Sequence, residues 1–234
     1  DNDISRFAEE MVVNADAPDP EVRATARAQL NRFGDHFTAY SELFIVSASS
    51  GKVVLSTNPS QEGYDKKSDL YFTEPMRTRK PYIKDIYLSE TERIPSMTFS
   101  APVFYLAHDG EHLRGVLVAR VDLEHALYPL LQERTGMGDT GETLIVNRDG
   151  IALNDLRWHE DAALKLKISA KPAMRAAAGE TGIVETGDYR DEMVLAAYTH
   201  IPQTGWGFVA KRDLAEVYEP IHAMFHSMMF AVVV

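Results

Sequence analysis

The chain repeats itself. Residues Val118–Leu130 align without a gap on Val209–Ile221: Val, Ala, a basic residue, Asp122/Asp213, Leu123/Leu214 and Pro129/Pro220 coincide. Upstream of each segment lies the same strand–turn–strand pattern, Phe44–Leu55 in one copy and Leu144–Leu153 in the other, each with a glycine in its turn. Two copies point to two similar α+β modules in tandem and away from a solenoid, which needs more repeats. In each copy a strand ends at an aspartate placed to cap the helix that follows.

The segments around the repeat fill in the modules. Ile4–Val13 has helical periodicity, Ala15–Pro20 breaks it, and Asp19-Pro20 opens a second helical run. Val22, Ala26, Leu30 and Phe33 share one face of that run, and Gly34 ends it. From Leu43 the pattern turns to strands, Leu43–Val46 and Val53–Leu55 about a turn at Ser49–Lys52, and later Gly115–Val121. Leu123–Leu131 reads as helix, and the glycine-punctuated Thr135–Gly141 reads as a linker into the second module. Strands are expected there at Gly182–Thr186, Glu192–Thr199 and Trp206–Lys211, and a final helix starts near Asp213. It runs into the uncharged Ser227–Val234, shorter than the ~20 apolar residues that span a bilayer. This reads as the opening turns of a membrane helix, the alternative being a C-terminal core segment. The expected division is a helical lead-in over 1–36, a first module over 37–134, a second over 135–212 and a C-terminal helix over 213–234.

Composition removes some classes of function. A net charge of −11, with no block rich in Lys or Arg, argues against nucleic acid as a partner. The absence of cysteine excludes disulfides and thiolate metal sites. No nucleophile–base pairing, phosphate loop or zinc motif is present, so neither catalytic residues nor a cofactor is expected. His222 and His226 stand four apart on the last helix, but no third metal ligand accompanies them.

The stretch Tyr64–Val103 carries the chemistry. It combines an amphipathic segment at Tyr71–Thr78, tyrosines at Tyr82 and Tyr87, a charged turn at Ser89–Arg93, and a strand in which Thr98 and Ser100 share one face. One face of such a strand packs on a core while the other lines something polar, so the stretch is expected to line a ligand pocket.

An ordered set of pieces covers nearly the whole chain: Ser56–Ser60, Tyr71-Phe72, Tyr82–Asp85, Ser100–Val103 and Gly115–Val118, then Gly141–Thr143, Val146–Gly150, Val194–Tyr198 and Gly205–Gly207. In this order they resemble the double Cache domains, extracytoplasmic sensors of bacterial and archaeal transmembrane receptors. The resemblance implies an α+β fold of two tandem PAS-like antiparallel-sheet modules on a long N-terminal helix, with a C-terminal helix leading to the membrane. It also implies a small-molecule site in the membrane-distal module, between Tyr64–Phe72, Tyr87–Ser89 and Asp122. Members that bind amino acids carry a tyrosine, an arginine five residues on, then Trp-Tyr, and a later aspartate. Here Tyr64 and Asp122 fit, Asp69 stands at the arginine position, and the pair is Tyr71-Phe72.

The candidate ligand residues are therefore Tyr64, Asp69, Tyr71, Phe72, Tyr87, Ser89, Thr98, Ser100 and Asp122. Asp69 and Asp122 among tyrosines suggest an acidic aromatic box for an amine or other small metabolite, although either aspartate could instead be a helix cap. The expected function is a periplasmic or extracellular sensor domain at the cell inner membrane, non-catalytic itself, homodimeric and membrane-linked through its helices. The expected receptor is a two-component histidine kinase; the alternatives are a chemoreceptor or a diguanylate cyclase. Rivals of other classes are a ligand-free dimerisation module and a soluble binding protein.

Overall fold

A computed structural model describes residues 20–36, 39–89, 94–107 and 110–233. The helix expected over Ile4–Val13 and the turn residues Glu90–Arg93 lie outside these, as do the side chains of the apolar end from Phe225 onward. The chain divides into two compact units, Asp1–Leu127 and Tyr128–Val234. Each mixes helices with one antiparallel sheet.

In the first unit, helix α1 (Pro20–His36) precedes β1 (Tyr40–Ser47), β2 (Val53–Ser56), helix α2 (Leu70–Thr78), β3 (Tyr82–Leu88), β4 (Pro95–Ala107), β5 (Gly110–Val121) and the short helix α3 (Leu123–Ala126). The strand order is β2-β1-β5-β4-β3. The alternation of β1 gives this sheet two buried faces. Leu43 and Ile45 pack with Ala26 and Leu30 of α1, and Phe44 and Val46 pack with Tyr71 and Phe72 of α2. A strand covered on both sides reads as an unbroken apolar run, which is the Leu43–Val46 signature. Helix α1 continues past Gly34 to His36, its last turns held by Phe33 on the same cluster.

The second unit contains helix α4 (Tyr128–Gln132), β6 (Glu142–Val146), helix α5 (Lys171–Ala177), β7 (Gly182–Gly187), β8 (Met193–Ile201), β9 (Trp206–Asp213) and helix α6 (Leu214–Val233). Its sheet order, β6-β9-β8-β7, is that of the first unit without β2. The counterpart of β2 is reduced to isolated bridges at Ile151 and Ala152.

Two expectations are corrected. The helix expected over Leu123–Leu131 splits at Leu127 into α3 and α4, because Pro129 has no N–H to continue the ladder to His125. The Thr135–Gly141 stretch, expected as a linker into the second module, falls within the second unit as a clamped turn. Glu216 accepts from the backbone N–H groups of Asp139 and Thr140, each at 2.8 Å, and Arg212 donates to the carbonyls of Met137 and Gly136. A Cβ at Gly141 would lie 2.1 Å from the Met137 carbonyl oxygen, so only glycine closes this turn. The two repeat aspartates also diverge. Asp122 caps α3 by accepting from the His125 N–H at 3.1 Å, whereas Asp213 spends its carboxylate on Arg190 at 2.5 Å.

Helix α6 carries Pro220 in its interior, and His222 is exposed. Among the described residues no helix is long and apolar enough to cross a membrane, and no cluster of three or more metal-type ligands occurs.

Candidate ligand site

A polar rung crosses the α2-facing side of the first sheet. Glu42 pairs with Arg120, Arg120 with Thr98, and Thr98 with Lys84, one residue from each of β1, β5, β4 and β3. Directly opposed residues on neighbouring strands share a face, here the face of Phe44, Val116 and Val118. Charges buried there are tolerated only when paired. Arg120 and Glu42 form an ion pair at 3.4 Å with side chains only 2% and 3% exposed, and the Ser56 hydroxyl donates to Glu42 at 2.7 Å. At the far end of the rung, the Lys84 ammonium lies 3.6 Å from the Tyr87 ring centre and 3.4 Å from Asp69 Oδ1.

Over the rung lies a cavity of about 230 Å³. Lys66, Asp69 and Tyr71 reach it from the entry to α2, Lys84, Tyr87, Leu88 and Ser89 from the end of β3, and Arg120 from the floor. The register of β3 slips between Lys84 and Tyr87, so that Lys84 opposes Thr98 and Tyr87 opposes Ser96. Three steps on β3 match two on β4, a β-bulge. Strict alternation would send Tyr87 to the face opposite Lys84; the bulge returns it to the same one.

Tyr71 anchors the wall. Its ring meets Phe44 edge-on, with centroids 5.8 Å apart at 81°, a contact worth about 1 kcal/mol beyond its area. Its hydroxyl donates to Asp69 Oδ2 at 2.8 Å. Burial first, then the Asp69 charge, pushes the Tyr71 hydroxyl far above its ordinary pKa, so it remains a protonated donor.

The described lining carries basic groups beside Asp69 that the acidic-box expectation did not include. Among the described residues, Lys66, Lys84 and Arg120 line the cavity with one carboxylate, Asp69, which already holds Tyr71, Lys84 and, at 4.0 Å, Lys66. Among the described residues, Lys66, Lys84 and Arg120 face Asp69 and, behind Arg120, Glu42.

Asp69, Tyr71, Tyr87 and Ser89 line the cavity. Asp69 occupies the N-cap position of α2 but makes no side-chain cap bond there, which leaves its carboxylate to the cavity. Phe72 belongs to the core cluster, while Thr98 and Ser100 are buried within the sheet, Ser100 donating to the Tyr82 carbonyl. Tyr64 is about half exposed and lies outside the lining, as does Asp122, which is committed to α3 and His125. Sequence reading missed Lys66, Lys84, Arg120 and Glu42. A signal existed: Glu42 and Arg120 share a face with the apolar Phe44, Val116 and Val118, and Glu142 and Lys211 recur at the same places in the second copy.

The Cache domain family matches residues 2–221. The chain is a Cache domain. Similar solved structures agree on the fold. The ligand-binding domain of Mlp24 with asparagine is 17% identical, covers 94% of this chain and 86% of its own, and gives a TM-score of 0.63. The extracellular domain of mmHK1S-Z3, described as a histidine kinase, is 18% identical over 94% and 89%, with a TM-score of 0.68. The ligand-binding domain of the Pseudomonas aeruginosa PAO1 amino acid chemoreceptor PctC, in complex with GABA, is 18% identical over 90% and 89%, with a TM-score of 0.59. No curated protein matches the chain significantly. Where the amino-acid-binding pattern has its arginine, this Cache domain has Asp69. A guanidinium reaches the cavity instead from Arg120 on β5.

Proposed function

We propose that this Cache domain is the extracytoplasmic sensor of a transmembrane signalling receptor, and that the cavity of its first unit takes a small carboxylate. The observation that carries this reading is the polar rung beneath a cavity in which, among the described residues, Lys66, Lys84 and Arg120 stand beside Asp69. Arg120, paired with Glu42, sets a guanidinium in the cavity floor towards which a carboxylate would be drawn, and Lys84 adds a point charge. Asp69 provides an acceptor for an amino or hydroxyl group elsewhere on the same molecule, so amino acids and hydroxy acids are the favoured ligands. A volume of about 230 Å³ suits a metabolite of that size. The bound asparagine and GABA of the similar structures belong to this chemical class.

The unit assigned the cavity corresponds to the membrane-distal module, and the second to the membrane-proximal one. Binding favours one of two conformations of the receptor, which flanking helices carry across the membrane of a homodimer to a histidine kinase or chemoreceptor output. A purely structural module is disfavoured because the cavity is lined by charged and phenolic groups in place of apolar filling. The test is a thermal-shift screen against amino acids, hydroxy acids, dicarboxylates and amines. A ligand at a hundred times its Kd adds about 2.7 kcal/mol of stability. Stabilisation by carboxylates, lost in Lys84→Met, is expected; stabilisation by amines alone would overturn the assignment.

A further inference from the structure

The two sheets compare strand for strand: β6 stands where β1 does, β9 where β5 does, β8 where β4 does and β7 where β3 does. Glu142 opposes Lys211 as Glu42 opposes Arg120, and this second acid–base pair is bonded at 2.8 Å with side chains again 3% and 2% exposed. Beyond the pair the rungs differ. Thr98 and Lys84 are replaced by Ala196 and Val184.

The described residues differ again one position past the outer strand. Ser89 follows β3 and Asp188 follows β7, and each closes its hairpin with the same backbone bond, to Ile94 and Glu192 respectively, at 2.9 Å. Arg120 donates to the Ser89 hydroxyl at 3.5 Å, and both residues line the cavity. Asp188 instead places a carboxylate directly on the Lys211 ammonium. That carboxylate is only 3% exposed and is fully engaged: Oδ2 also accepts from Arg190 Nε at 2.7 Å, and Oδ1 accepts from the backbone N–H groups of Arg190 and Glu192. The Trp158 ring covers the cluster, 3.8 Å from the Arg190 guanidinium and 5.2 Å from the Lys211 ammonium.

We propose that Lys211 is the centre of a second small-carboxylate site, occupied by the chain's own Asp188 in the place that a ligand carboxylate takes beside Arg120. The second unit is thus a ligand site locked in its filled state, with the class of anion it accepts fixed by Lys211, Arg190 and two backbone N–H groups. Removing the Asp188 carboxyl group leaves those buried donors facing a gap the size of formate, and unsatisfied buried donors are what a free anion binds to relieve. The inference borrows from the reading of the first unit only the position of the anion.

The test is a titration of Asp188→Ala with sodium formate against sodium chloride at equal ionic strength. Asp188→Ser, which copies Ser89, serves as the second variant. Both tryptophans, Trp158 and Trp206, lie in the second unit, so their fluorescence reports this site and not the cavity of the first. The expected result is a saturable fluorescence change and a rise in Tm with formate in both variants, and neither in the wild type. A variant unfolded in chloride is expected to regain its circular-dichroism spectrum in formate. Folded variants without a saturable response, a wild type that responds equally, or an unfolded variant that formate does not restore would each overturn the proposal. All of these outcomes leave the carboxylate reading of the first unit standing.

Discussion

Replacing Arg120 with methionine should be among the most damaging single changes in the first unit. The substitution keeps most of the apolar stem but removes the cation bonded to Glu42, whose side chain is 3% exposed. Stranding one member of a buried pair costs about 3–5 kcal/mol, whereas replacing both with apolar groups is often neutral. Unfolding entropies scale with size, so for the unit Asp1–Leu127 each kcal/mol is worth about 4 °C. The single variant should therefore lose roughly 10–20 °C, and Glu42→Leu with Arg120→Met should recover most of it. Differential scanning calorimetry reads the effect. Because Trp158 and Trp206 both belong to the second unit, a transition silent in tryptophan fluorescence belongs to the first. A loss below about 4 °C for the single variant, or a double variant worse than the single one, would show that the pair is not desolvated as described.

Other expectations follow from the same geometry. Asp122→Ala should remove the α3 cap, at about 1 kcal/mol by calorimetry, and leave carboxylate binding unchanged by isothermal titration. The Thr98 hydroxyl is buried with no hydrogen-bond partner among the described residues, so Thr98→Val should leave the ligand-free domain as stable or up to about 1 kcal/mol more stable in urea melts. For Asp188, burial alone would raise the carboxyl pKa, but hydrogen bonds from Lys211 and Arg190 outweigh it and hold the group below its ordinary value. Its stabilisation is thus complete above the unfolded carboxylate range near pH ~4 and is lost as pH falls through the lowered folded value. Tryptophan-detected melts from pH 7 downward should show this acid-side loss in the wild type, and Asp188→Asn should lack that component.

The repeat made the tandem α+β arrangement legible, because Val118–Leu130 and Val209–Ile221 preserve both the strand parity and the turn into a helix. The site was legible only in outline. Tyr71 and Asp69 stood out near a helix start, but Tyr87 reaches the cavity through a bulge that leaves no mark in the residue pattern. Lys66 and Lys84 look like solvated surface charges in sequence and become lining groups only when α2 folds over the sheet. Asp69 and Asp122 occupy the same kind of position before a helix. Only the fold shows that Tyr71 and Lys84 draw one of them to the cavity while His125 keeps the other as a cap. Glu42 and Arg120 were readable in principle, since charge at an inward strand position is expensive and the same pairing recurs as Glu142 and Lys211.

The most direct measurement is a crystal structure of the domain with the best stabilising carboxylate from the thermal-shift screen. The expected density lies in the cavity of the first unit, with the carboxylate against the Arg120 guanidinium, Lys84 beside it, and any amino or hydroxyl group towards Asp69. A ligand bound outside that cavity, or one inside it that leaves Arg120 untouched and directs a cationic group at Asp69, would contradict the account.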